Sequence, residues 1–128
     1  MNNLAPQPTN KRFPKNHRLL KHTDFDRVYK QGRRHFAEHM TVFHLAREDN
    51  EGLRVGFTVS KAMGGAVQRN RMKRLLREAV RMNGLERSVA ADVVINPKRS
   101  LLNAEFSDLQ SQIGKAFDVI ERSLARNK

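Results

Sequence analysis

Arg69, Lys73, Arg77 and Arg81 recur at every fourth position of "AVQRNRMKRLLREAVR" (66–81), with Arg71 and Arg74 between them. On an α-helix that spacing stacks the four cations on one stripe, about 6 Å apart at a rise of ~1.5 Å per residue. This is close to the phosphate spacing along a nucleic-acid strand. Like charges so placed repel by roughly a few tenths of a kcal/mol per pair. The segment offers one acid in return, Glu78, four residues from Arg74. A bound polyanion relieves such a surface, and the arginine fork suits it, gripping phosphate through two parallel hydrogen bonds.

Hydrolytic chemistry is not visible beside these cations. Asp24, Asp26, Glu48, Asp49, Glu51, Glu78, Glu86 and Asp92 are scattered and form no two-metal set. His17, His22, His35, His39 and His44 lack zinc-motif spacing and read as surface or strand residues. Without cysteine the chain has no disulfide or thiolate metal site, which suits a reducing cytoplasm. Lys and Arg number 25 against 13 Asp and Glu, a net charge of +12, and the pI is near 11.1. Nucleic acid is the expected partner. No stretch approaches ~18 apolar residues, so no membrane span is expected. The opening "MNNLAPQPTNKRFPKNHR" has no apolar core and does not read as a signal peptide. Composition alone therefore points to an RNA-binding domain with no catalysis of its own.

The elements that must position the cations follow from periodicity. At 128 residues one domain is expected, over 17–125, behind a flexible basic tail at 1–16. "HTDFDRVYKQG" (22–32) predicts a short helix, with Thr23 as N-cap, Gly32 as stop, and Phe25, Val28 and Tyr29 on one face. "RRHF" (33–36) suggests a short first strand and "HMTVFHLA" (39–46) a second. The polar turn after it predicts a hairpin to "LRVGFTVS" (53–60). There Leu53, Val55, Phe57 and Val59 alternate with Arg54, Gly56, Thr58 and Ser60, a small and basic second face that would let a backbone approach. Gly64 and Gly65 turn the chain into a helix from Ala66 to about Asn83, closed by Gly84. Its core stripe is Met72, Leu75, Leu76, Ala79 and Val80. "ADVVINP" (91–97) is a strand. A last helix, capped by Asn103, runs to about Leu124 and buries Phe106, Leu109, Ile113, Phe117, Ile120 and Leu124. The fold class is α+β, a two-layer sandwich ordered short helix, three strands, helix, strand, helix.

"LRVGFTVSKAMGGAVQRNRMKRLLREA" closely resembles the signature of the protein component of bacterial ribonuclease P. That signature is a strand ending in Ser-Lys, a Gly turn, Ala-Val, then Arg-Asn-Arg-x-Lys-Arg-x-x-Arg, carried here by Ser60, Lys61, Gly64, Ala66, Val67, Arg69, Asn70, Arg71, Lys73, Arg74 and Arg77. "RLLKHTDFDRVYKQG" and "DVVINP" resemble the flanking helix and strand. The resemblance implies a left-handed crossover between the parallel strands. It implies an accessory subunit of an endoribonuclease that removes the 5′ leader from precursor tRNA, the RNA subunit doing the chemistry with magnesium ions and the protein holding no cofactor. It implies RNA-subunit contacts at Lys61, Arg69, Asn70, Arg71, Lys73, Arg74 and Arg77. It also implies a cleft for the single-stranded leader at Phe25, Tyr29, Phe43, Gly56 and Thr58. Three positions depart from the pattern: Ala62 where a second lysine is common, Gly65 for Asn, and Asn96 where arginine often precedes Pro.

Overall fold

The computed structural model describes residues 13–49 and 52–126. Most of the expected basic tail, residues 1–12, lies outside them. Phe13 is buried in the core and Lys15–His17 form a 3-10 turn, so the ordered chain starts ahead of the expected boundary at 17.

Helix α1 (His22–Gln31) is followed by strands β1 (Arg33–Phe36), β2 (Met40–Ala46) and β3 (Leu53–Phe57). Helix α2 (Ala66–Asn83), strand β4 (Ala91–Pro97) and helix α3 (Phe106–Arg126) complete the domain. The sheet order is β1-β2-β4-β3. β1 and β2 form a hairpin that pairs Arg33 with His44 and Phe36 with Thr41. The hairpin expected between β2 and β3 does not form, because β4 lies between them, antiparallel to β2 and parallel to β3. A parallel pair needs a crossover, and α2 supplies it. Ala91, Asp92, Val93, Val94 and Ile95 are all buried, as a central strand covered on both faces requires.

On one face Met40, Val42, Leu53, Val55, Val93 and Ile95 pack against α2 and α3. Of the expected α2 stripe, Met72, Leu76, Ala79 and Val80 are fully buried, and Leu75 packs against them partly exposed. α3 contributes Leu109, Ile113, Phe117 and Ile120, with Phe106 and Leu124 at the margins. On the opposite face a smaller cluster joins Leu19, Val28 and Val94, with Phe25, Tyr29, Phe43 and Leu45 against them. Sheet and long helices thus make the expected two layers, and α1 adds a partial third.

Helix starts differ from the sequence reading. Lys21, not Thr23, is the N-cap of α1, its carbonyl accepting from Asp24 and Phe25 N–H (3.0 and 3.2 Å). Asn103 closes a 3-10 turn, Arg99–Asn103. α3 begins instead beyond Glu105, whose carbonyl accepts from Asp108 and Leu109 N–H. Gly84 ends α2 at φ +80°, as the sequence suggests. Gly32 ends α1 for another reason: a Cβ there would lie 2.5 Å from both Val28 O and His44 O, so only glycine lets the helix end close on β2.

Candidate nucleic-acid interface

Two surfaces meet at the outer edge of β3, along which residues 17–19 run. The first is the outer face of α2 with the turn before it. Ser60 leads into a 3-10 turn, Lys61–Met63, and Gly64 then takes φ +132°, a conformation other residues rarely adopt. Gly65 is extended and caps α2. Arg69 is half-buried because its Nε donates to Gly64 O (3.1 Å), tying the helix to the turn. Lys61, Asn70, Arg71, Arg74 and Arg77 are exposed and Lys73 half-exposed. Among the described residues none of these cations forms an ion pair. Glu78 sits on Arg81 rather than on Arg74. The stripe therefore loses its Arg81 end to an internal pair and keeps its N-terminal part unneutralised.

The second surface is a groove of about 500 Å³ beside β3, lined among others by Phe13, Arg18, Leu20, Phe25, Gly56 and Arg77. Residues 17–19 build its wall by running along β3. Leu19 N–H donates to Val55 O (3.0 Å) and His17 Nδ1–H to Leu53 O (2.7 Å). Gly56 is the floor, with the Phe25 ring directly over it: a Cβ at Gly56 would lie 2.4 Å from Phe25 Cζ. Arg18 is held by Phe13 O (2.9 Å) and stacks over the Phe13 ring, 5.7 Å from its centroid.

Tyr29, Phe43 and Thr58 lie further along the same sheet face. Tyr29 meets Phe43 edge-on, at 4.9 Å between centroids. The Tyr29 hydroxyl lies 2.8 Å from Thr58 Oγ1 and 2.9 Å from Asn96 Oδ1; it donates to the Asn96 carbonyl oxygen and can accept from the Thr58 hydroxyl. The five residues named from the sequence thus come together between α1, which carries Phe25 and Tyr29, and the sheet face beneath it, which carries Phe43, Gly56 and Thr58.

Several site residues were not found from sequence. Asn96, noted only as a missing arginine, instead fixes the Tyr29 hydroxyl. Arg34 extends over Phe43, 5.8 Å from the ring centroid. Arg99 donates to Ala62 O (2.6 Å) and so brings a guanidinium to the place where the second lysine is lacking. Val67, at the start of α2, is 79% exposed, an apolar contact in the midst of the cations. Alternation within "RRHF" could have separated Arg34 from Arg33, but only the register shows which faces Phe43.

Of the histidines expected on the surface or in strands, His22 is exposed and His35 and His44 lie in strands, whereas His17 and His39 do neither. His17, His39 and His44 are buried. His39 Nδ1 meets Ser100 Oγ at 2.7 Å, whereas neither ring nitrogen of His44 has a partner. Burial, then the charges of Arg33 and His35, push His44 below the ordinary imidazole pKa. Arg54 is held further up, chiefly by its hydrogen bond to the buried Asp92 carboxylate. Among the described residues no three His, Asp or Glu side chains gather as a metal site. No helix there is long and apolar enough to cross a membrane.

Comparison with known proteins gives the family of the chain. The family model described as Ribonuclease P matches residues 13–121. The ribonuclease P protein component of Maridesulfovibrio salexigens is 43% identical over 90 residues, covering 70% of this chain and 73% of that one. That of Desulforapulum autotrophicum is 35% identical over 111 residues, covering 87% and 94%. The solved ribonuclease P protein of Staphylococcus aureus superposes with a TM-score of 0.70 at 25% identity, over 82% of this chain and 95% of that one. With the signature helix, the glycine turn and the aromatic sheet face all in place, the chain belongs to the ribonuclease P protein component family.

Proposed function

We propose that this protein joins two RNAs along the edge of β3. The outer face of α2, with Lys61, Arg69, Asn70, Arg71, Lys73, Arg74 and Arg77, seats the catalytic RNA subunit of ribonuclease P. The groove and sheet face, with Phe25, Tyr29, Phe43, Gly56 and Thr58, hold the single-stranded 5′ leader of precursor tRNA. Membership of the family makes the chain the protein component of an endoribonuclease for tRNA 5′-end maturation, with the RNA as catalyst.

The observation that carries the two-surface reading is Arg77. It belongs to the cationic helix and also lines the aromatic groove, so one continuous surface serves both RNAs. The protein's part is then physical. Unpaired arginines release counterions from two polyanions and let them approach each other. Aromatic side chains stack leader bases at roughly 1–3 kcal/mol per base, whatever their sequence. Mature tRNA has no leader and forfeits those contacts, so substrate is held in preference to product. Magnesium serves the RNA subunit, and the protein works where that RNA is found, in the cytoplasm.

Replacing Phe25 and Tyr29 together by Ala tests this in the reconstituted holoenzyme. Precursor tRNA should bind roughly ten- to a hundredfold more weakly, with mature tRNA unchanged. Equal loss for both RNAs would refute the leader cleft.

A further inference from the structure

At the other edge of the sheet, the β1–β2 hairpin and the last turns of α3 enclose an open cavity of about 790 Å³. The register gives its chemistry. Arg33 lies opposite His44, and His35 opposite Val42, so Arg33 and His35 share the side of the sheet on which His44 and Val42 lie. Arg34 goes to the other side, over Phe43. From α3 come Arg122 and Ser123, and no carboxylate lines the cavity. Among the described residues Arg33 and Arg122 form no ion pair.

His44 is the second, independent sign. It lines the cavity and is 5% exposed, yet both ring nitrogens lack a hydrogen-bond partner. A neutral imidazole has one donor and one acceptor, and leaving them buried and unmet costs stability. The helix dipole favours a cation such as Arg122 near the C-terminal end of α3. It does not account for Arg33, nor for an unmet donor set among cations.

We propose that this cavity is a phosphate-binding subsite for RNA backbone. The exposed Arg33 and Arg122 guanidiniums take the charge of a phosphodiester, and the His44 ring, whose nitrogens are covered without ligand, turns its N–H outward to a phosphate oxygen. The site lies three strand spacings, about 14 Å, from β3 and its groove. RNA contacts then extend across the domain, beyond the edge assigned above. The proposal rests on the RNA-binding reading of this protein and adds a separate contact to it.

The test uses the full chain carrying Arg33→Gln and Arg122→Gln, assembled with the cognate RNA subunit across a range of KCl concentrations. Both positions are exposed, so the fold should persist. The slope of log affinity against log salt should fall by about one to two units, with affinity at low salt roughly tenfold weaker. The pair Arg33→Lys and Arg122→Lys, which keeps the charge, should retain the slope. A five-nucleotide oligouridylate should shift the His44 ring resonances saturably in the wild-type chain. An unchanged slope in the glutamine variant, while Arg71→Ala lowers it, overturns this subsite and leaves the α2 surface standing. Unchanged slopes in both variants would overturn the α2 reading as well. If inorganic phosphate moves the His44 resonances but the oligonucleotide does not, the cavity takes a small free anion and the RNA assignment is wrong.

Discussion

Gly56 offers the sharpest test of the cleft, because a single methyl group there has a known destination. An alanine Cβ would lie 2.4 Å from Phe25 Cζ, 2.9 Å from Cε2 and 3.1 Å from Leu19 Cβ. Carbon atoms in ordinary contact sit about 3.5–4.0 Å apart, so the ring must retreat by at least about 1 Å. α1 cannot simply lift away. Val28 is fully buried beneath it, Tyr29 is bonded to Thr58 and Asn96, and Gly32 is wedged against His44 O. The strain should therefore appear at Phe25. Overpacking of this kind costs about 1–3 kcal/mol, which lowers Tm by roughly 3–12 °C in a domain of this size. Function should suffer in the same place. Losing one stacked base is worth about 1–3 kcal/mol, or roughly five- to 150-fold in precursor tRNA affinity. Mature tRNA, lacking a leader, should bind as before. The assays are thermal unfolding of the free protein and equilibrium binding of both tRNAs to the holoenzyme. Adding Phe25→Ala removes the obstructing ring, so most of the stability cost of Gly56→Ala should vanish in that background. A Gly56→Ala protein with unaltered Tm and unaltered precursor preference would refute the placement of Phe25 over the sheet.

Three further outcomes follow from other parts of the molecule. Arg71→Ala should weaken binding of the RNA subunit about tenfold and flatten the salt dependence by roughly one unit of slope, as read from titrations at several KCl concentrations. Asp92→Asn should destabilise the domain by about 3–5 kcal/mol in denaturant unfolding. The carboxylate is buried and takes two hydrogen bonds from Arg54 (2.7 and 2.8 Å) with Arg47 at 3.3 Å, so its loss removes the closest counter-charge of Arg54, which keeps only Asp24 at 3.6 Å, while Arg47 keeps Asp49. His44 should make stability fall with acid. Its pKa is depressed in the folded state, so its contribution is complete above the unfolded value of 6.5 and is lost as pH falls towards the folded one. Replacing it by Gln should remove that part of the decline between pH 7 and 5 in a series of thermal melts.

Local pattern explains which elements were legible. α2 runs from Ala66 to Asn83 as its periodicity requires, since a stripe of Met72, Leu76, Ala79 and Val80 can be buried only on a helix and Gly84 takes the positive φ that ends it. Arg71, Arg74 and Arg77, away from that stripe, are exposed for the same reason. Thr23 and Asn103 misled because good capping side chains are only local preferences. Lys21 and Glu105 lie where packing starts each helix, and their carbonyls meet the first free N–H groups. The strand order was not legible either. A polar turn between β2 and β3 suits a hairpin, and nothing local forbids one. The unalternating run Val93, Val94, Ile95 carried the contrary signal, for a strand buried on both faces must be central.

The sequence by itself determined the partner class, the cationic helix and the aromatic side chains available for stacking, because charge, spacing and residue type are properties of the chain. Only the tertiary structure decided how they meet. Inserting β4 between β2 and β3 leaves β3 as an edge, where α2 from one face and α1 from the other converge, so Arg77 and Phe25 line one groove. The same insertion sets Asn96 of β4 beside Tyr29, 67 residues away in the chain. Registers of that kind depend on which long-range strand pairing buries the most apolar surface, a comparison no local stretch of sequence contains.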